Sequence, residues 1–139
     1  MHAPEITAER FDSDNFFNTG DYVKIDDEGF VYILDRVTDI IIVGGFNVYP
    51  QEVEKVVAEH PAVHQAVVVG VHHDINGEIP KAYIMLEEGA TADKQDIIKF
   101  AKEHLAHFKV PRSVEFVTEF PLSSTGKILR RVLRERAAK

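Results

Sequence analysis

Residues 35–54 read D-R-V-T-D-I-I-I-V-G-G-F-N-V-Y-P-Q-E-V-E, and this stretch decides the fold. A charged turn (Asp35, Arg36) leads into a β-branched apolar run (Ile40, Ile41, Ile42, Val43), a glycine pair (Gly44, Gly45) and then Pro50. Paired glycines allow φ > 0 or a close backbone approach, and Pro50 presets the φ of a first helical turn, where its missing amide hydrogen costs nothing. The predicted order is strand, tight loop, helix. By pattern alone this is an ordinary β-turn-α unit, so its meaning depends on the flanks.

On the carboxyl side, Val53, Val56 and Val57 at helical spacing predict a helix over about 50–60, with Glu52 and Glu54 placed where the macrodipole favours carboxylates. Residues 62–71 become wholly apolar at Ala66, Val67, Val68 and Val69, as in a central strand covered on both faces. A loop over 72–78 leads to a strand at about 81–86. A second helix is predicted over about 93–107, with Ile97, Ala101, Leu105 and then Phe108 in one stripe. A short strand at 113–117 and a final helix at 127–137 complete the chain. On the amino side, 1–15 is a polar, partly helical entry. Residues 18–35 predict a hairpin with Asp26-Asp27-Glu28-Gly29 as its turn. A second short strand pair is expected around the glycine pair. The fold class is α+β: helices packed on a small three-stranded sheet, preceded by a β-hairpin.

The chain has 139 residues, enough for one domain with a real core, and 45% apolar against 28% charged residues is the balance of a globular protein. No apolar run approaches the ~20 residues of a spanning helix, no basic-then-apolar leader opens the chain, and cysteine is absent. A cytoplasmic location is expected. The net charge of −7 argues against nucleic acid as a partner. It is unevenly spread. Residues 1–35 hold nine carboxylates against Arg10 and Lys24, whereas 109–139 hold eight cations (Lys109, Arg112, Lys127, Arg130, Arg131, Arg134, Arg136, Lys139) against three carboxylates. The basic tail is expected to meet an anionic ligand or surface.

Three motifs then stand in order: Phe17-x-Thr19-Gly20-Asp21, the 35–54 stretch, and Pro121-x-x-x-x-Gly126-Lys127-Ile128-x-Arg130-Arg131. Together they resemble the carboxyl-terminal part of the acyl-adenylate-forming ligases, most of all the fatty acyl-CoA ligase branch. The resemblance implies that residues 1–37 end a large adenylation domain and that 38–139 form its small mobile lobe. The acyl pocket and the ATP phosphate loop would lie elsewhere. It implies an AMP-forming acid–CoA ligase with ATP, CoA and a carboxylic acid, fatty acids as the class expected, as substrates, and magnesium whose ligands are not in this segment. A fatty acid substrate would add peripheral membrane association.

The resemblance also assigns residues. Asp21 would accept the ribose hydroxyls, which suits an acceptor-only carboxylate, and Arg36 would reach the ribose and phosphate oxygens with its fork of donors. Lys127 would be catalytic, a point cation brought to the charge that builds on the α-phosphoryl group. Gly44, Gly45 and Phe46 would line the pantetheine tunnel, and Phe108, Lys109 and Arg112 would contact the CoA nucleotide. Thr38 departs from the Asp or Lys that usually serves as the hinge. Either Thr38 is the pivot or the swing is shared with Asp39.

Other chemistries find no support in the residues. S-S-T-G-K is no Walker loop, because Pro121 and Ile128 stand where Gly and Ser or Thr are needed. His72, His73 and Asp74 are not spaced for one coordination sphere, and 103–107 is not a zinc helix, so no metal site is expected. No G-x-S-x-G occurs. The alternatives kept open are the lobe of a peptide-synthetase adenylation domain and a stand-alone, non-catalytic module that binds CoA or a partner protein.

Overall fold

The structure, a computed structural model, describes residues 4–138. Lys139, counted above in the basic tail, lies outside the described residues, as do the first three. The chain divides into two compact units, one ending at Thr38 and the other beginning at Asp39.

The first unit holds helix α1 (Pro4–Glu9) and an antiparallel pair, β1 (Asp21–Ile25) and β2 (Val31–Arg36). Asp26 makes the turn. Its Oδ1 accepts the amides of Glu28 and Phe30 at 3.0 Å, while Gly29 takes φ +88°. Ile25, Phe30, Val31 and Ile33 are all exposed, so the hairpin has no apolar core of its own.

The second unit holds β3 (Ile41–Val43), β4 (Phe46–Val48), α2 (Pro50–Ala58), β5 (Val63–His73), β6 (Gly77–Leu86), α3 (Lys94–His104), β7 (Ser113–Phe116) and α4 (Arg130–Ala137). β5 and β6 pair antiparallel along nearly their whole length, and β7 lies parallel to β6 from Lys81↔Ser113 to Ile84↔Phe116. These three strands are the sheet expected from the sequence. The sheet is nonetheless five-stranded, because the β3–β4 hairpin joins the same edge of β6 at Val43↔Gly77. The sequence shows that hairpin only as a local pair; its docking is a long-range event.

Alternation along β5 builds both faces. Ala66 and Val68 enter a core with Ile41, Val48, Val53, Val57, Ile97 and Val114, beneath α2 and α3. Val67 and Val69 enter a second core with Tyr83, Phe120 and Leu133, beneath α4. Tyr83, buried whole, donates its hydroxyl to the Leu133 carbonyl at 3.0 Å and so fixes α4 to the sheet.

Several boundaries differ from expectation. α3 stops at His104: Leu105 is extended and Phe108 sits in a separate 3₁₀ turn, His107–Lys109, rather than on the helical stripe. The loop after β5 shrinks to three residues because Gly77 takes φ +76° and His73 Nδ1 accepts the Asn76 amide at 3.3 Å. α4 begins at Arg130, three residues beyond Lys127. Gly126 at φ +79° cannot be helical, and the Ser123 hydroxyl takes the Lys127 amide at 3.1 Å. Lys127 is therefore on the turn before the helix and not at the helix start that 127–137 predicts.

On the α4 face, Lys81 Nζ lies 2.9 Å from Glu115 Oε2 and Arg136 Nη2 lies 2.5 Å from Oε1. The hydrogen bond from Lys81 holds the Glu115 carboxyl below its ordinary 4.5 against desolvation, with the charges of Lys81 and Arg136 adding to it. Lys81 is raised above 10.5: desolvation lowers it, but the hydrogen bonds to Glu115 and Tyr83 outweigh that. The carboxyl thus stabilises the fold above its ordinary value and loses that contribution as pH falls through the depressed value; the ammonium's share is complete below 10.5 and fades at higher pH. Glu115→Gln should be less stable than wild type at pH 7, and the gap should close as pH drops below 4.5. Urea unfolding across that range checks this; parallel curves would exclude it.

Candidate functional site

In the first unit, antiparallel register sets Asp21 directly opposite Arg36. Arg36 Nε lies 2.9 Å from Asp21 Oδ1, and Nη1 donates to the Thr19 carbonyl at 3.2 Å. The two expected nucleotide ligands are thus neighbours, an acceptor and a donor fork side by side. The Asp35 carboxylate turns back on its own chain and accepts the Arg36 amide at 2.8 Å.

In the second unit, Gly44 and Gly45 take φ +56° and +89°, and a Cβ at either would meet nothing within 4 Å. The pair is there for torsion rather than close approach. Phe46 is exposed and stacks on Phe108 at 4.8 Å between centroids and 25° between planes. Lys109 bears on the Phe108 ring from 5.8 Å, but its ammonium is held by both Glu52 oxygens at 2.6 and 2.8 Å. Arg112 is exposed on a cleft of about 250 Å³ that also carries Lys102 and His107, two basic groups the sequence reading did not single out. A cleft of about 630 Å³ between His64, Glu87, Phe116 and Thr118 contains none of the expected site residues.

The basic tail departs most from expectation. Arg130 grips Glu54 with two parallel bonds, Nη1 to Oε1 at 2.5 Å and Nη2 to Oε2 at 2.9 Å, and Nη1 also donates to the Val68 carbonyl at 2.9 Å. Glu54 Oε1 accepts the Val68 amide at 2.7 Å. Arg134 Nη2 donates to Asp39 Oδ1, and Arg130 Nε lies 3.8 Å from Asp39 Oδ2. Arg136 pairs with Glu115, and Arg131 with Glu135 one helical turn on. Among the described cations from Lys109 onward, only Lys127 and Arg112 have no ion pair. The tail mostly meets the chain's own carboxylates instead of an outside anion. Glu54 and Glu52, read from sequence as dipole partners, are ion-pair partners; nothing local in the sequence matches Glu54 to Arg130.

Lys127 stands on a tight turn closed by the Leu122↔Ile128 bridge, the Ser123 amide to the Lys127 carbonyl at 2.8 Å, and the Gly126 amide to the Ser123 carbonyl at 2.9 Å. Its side chain is exposed. The two hinge candidates differ: the Asp39 carboxylate is tied into α4, whereas Thr38 is exposed on the far side of the unit boundary.

Residues 52–127 match the family described as AMP-binding enzyme C-terminal domain. A long-chain-fatty-acid–CoA ligase of Bacillus subtilis is 48% identical over 95% of this chain and 23% of its own length. A 2-succinylbenzoate–CoA ligase of Geobacillus kaustophilus is 45% identical over 94% of this chain and 26% of its own. Among solved structures, ATP-bound MatB from Rhodopseudomonas palustris matches 97% of the chain with a TM-score of 0.91 at 41% identity, over 27% of its own chain. A Mycobacterium tuberculosis fatty acyl CoA synthetase matches 96%, with a TM-score of 0.72 at 42% identity, over 26% of its own chain. The chain spans about a quarter of the length of these proteins.

Arg130→Leu should lower stability by about 1.5–3 kcal/mol, because Glu54 keeps its charge and loses both guanidinium bonds. Adding Glu54→Leu should restore part of the loss, since an apolar pair replaces the ions. Denaturant midpoints of the two variants check this, and an unchanged single variant would exclude it.

Proposed function

The chain belongs to the AMP-binding enzyme C-terminal domain family, and on that premise we propose that it is the closing segment of an AMP-forming acid–CoA ligase. Residues 1–37 would complete the large adenylation domain, and 38–139 would be the small lobe that turns against it. The exposed apolar hairpin of the first unit supports this assignment: Ile25, Phe30, Val31 and Ile33 need a larger body to cover them.

Two half-reactions follow. In the first, a carboxylate oxygen attacks the α-phosphorus of ATP, the bond to the β-phosphate breaks, and pyrophosphate leaves with acyl adenylate formed. Lys127 would be delivered to the charge that accumulates on the transferring phosphoryl group, and Asp21 with Arg36 would hold the ribose and its phosphate. Magnesium would balance the pyrophosphate charge from ligands that are not in this chain. In the second, the CoA sulfur attacks the acyl carbon, and the bond to the adenylate oxygen breaks to release AMP. Gly44, Gly45 and Phe46 would line the thiol's path. Phe108 and Arg112 would receive the CoA nucleotide, and Lys109 would join them only on leaving Glu52. The pivot between the two states would be Thr38, because Asp39 is bound to Arg134 and moves with the lobe. Long-chain fatty acids are the substrate class we favour, after the B. subtilis relative.

The observation that carries this reading is the charge pattern of the tail: the guanidinium groups of α4 are occupied within the unit, and Lys127 is left exposed on a hydrogen-bonded turn. A chimera that joins this chain to the amino-terminal part of the B. subtilis ligase should form acyl-CoA from ATP, CoA and a long-chain acid. In it, Lys127→Ala should slow pyrophosphate release about 10²–10³-fold, as for loss of one electrostatic donor, and leave thioesterification of supplied acyl adenylate near wild type. Equal loss of both steps would remove Lys127 from the adenylation role.

A further inference from the structure

β3 is held to β6 by the single register pair Val43↔Gly77. One residue before that pair, the Ile42 amide has no strand to bond, and a side chain supplies the acceptor: Ile42 N donates to Glu78 Oε2 at 2.9 Å. A second bond, Gly44 N to the Asn76 carbonyl at 2.8 Å, anchors the start of the glycine loop. Space for the Glu78 carboxylate is cleared by Gly70 on β5. A Cβ there would stand 2.9 Å from Glu78 Oε1 and 3.1 Å from its Cδ. Gly70 is the one glycine of eight without a positive φ, so its reason is room and not torsion. Glu78 is also well placed to act on the loop alone. Its bond reaches β3 two residues ahead of Gly44, far along the chain from Lys127.

From this geometry we infer that Glu78 is a positioning residue for thioester formation: its carboxylate, crossing the gap opened by Gly70, sets the height of the Gly44–Phe46 loop and so the path of the CoA thiol. The inference rests on the functional reading above. It asks only for an acceptor oxygen at that reach, and a glutamine supplies one.

The test uses Glu78→Leu, Glu78→Gln and Gly70→Ala. In the 139-residue chain, hydrogen exchange at the Ile42 amide should quicken in E78L and G70A and stay slow in E78Q. In the chimera with the B. subtilis amino-terminal part, kcat/KM for CoA should fall about tenfold in E78L and G70A, with pyrophosphate release changed less than about twofold and E78Q near wild type. Ile42 still protected in E78L, equal loss of both half-reactions, or E78Q as impaired as E78L would each overturn the inference. Failure of the functional reading would look different: a wild-type enzyme with no CoA-dependent turnover, while the Ile42 amide still reports on Glu78.

Discussion

Arg130 joins three parts of the small unit that lie far apart in sequence. One guanidinium takes the Glu54 carboxylate of α2 by two bonds, the Val68 carbonyl of β5 by a third, and faces Asp39 at the boundary between the units. Glu54 in turn accepts the Val68 amide, and Arg134 secures Asp39. Side chains of Arg130, Glu54 and Asp39 are 21%, 15% and 17% exposed, so these charges are largely withdrawn from water and must find partners within the fold. A planar fork is the group that can satisfy several oxygens at once. Because α4 follows directly on the Lys127 turn, the network that seats α4 also seats that turn relative to Asp39.

The same economy of partners decides which surface charges remain unpaired. A tail with an excess of cations reads as an anion-binding face, and most of it is not one. Paired guanidiniums are structural members; among the described residues of the tail, the exposed ammonium of Lys127 and the exposed guanidinium of Arg112 are the charges without an ion pair. Lys109 occupies an intermediate place, beside an aromatic pair that suits a nucleotide base yet bound to Glu52. In the proposed reading, its availability would depend on exchanging one carboxylate for a phosphate.

Much of this architecture was legible in local pattern. An apolar run located β5, period-3.6 spacing located α2 and the Ile97–Ala101 part of the α3 stripe, and the glycine and proline signals located the β1–β2 turn and the start of α2. Boundaries failed where a backbone torsion or a hydroxyl overrode helix propensity. Gly126 and Ser123 hold residues 127–129 out of α4, and the extended Leu105 leaves Phe108 free of α3 to stack on Phe46. The site residues carried by motif were found together where strand register is local, as with Asp21 and Arg36. Glu54, Arg134 and Glu78 were missed, since each is defined by a partner at the far end of a long-range contact.

From the chain's letters alone came the family, the α+β class and the order of elements. Those are properties of spacing and chemistry within a few residues, which local sterics and hydrophobic periodicity express directly. Only the folded structure decided which charges are spent on the fold and which remain, because ion pairing joins positions such as 39 and 134 that no short-range pattern relates. It likewise decided that β3 hangs on β6 through one register pair and the Glu78 carboxylate, since strand docking is settled by packing and by bonds between residues distant in sequence.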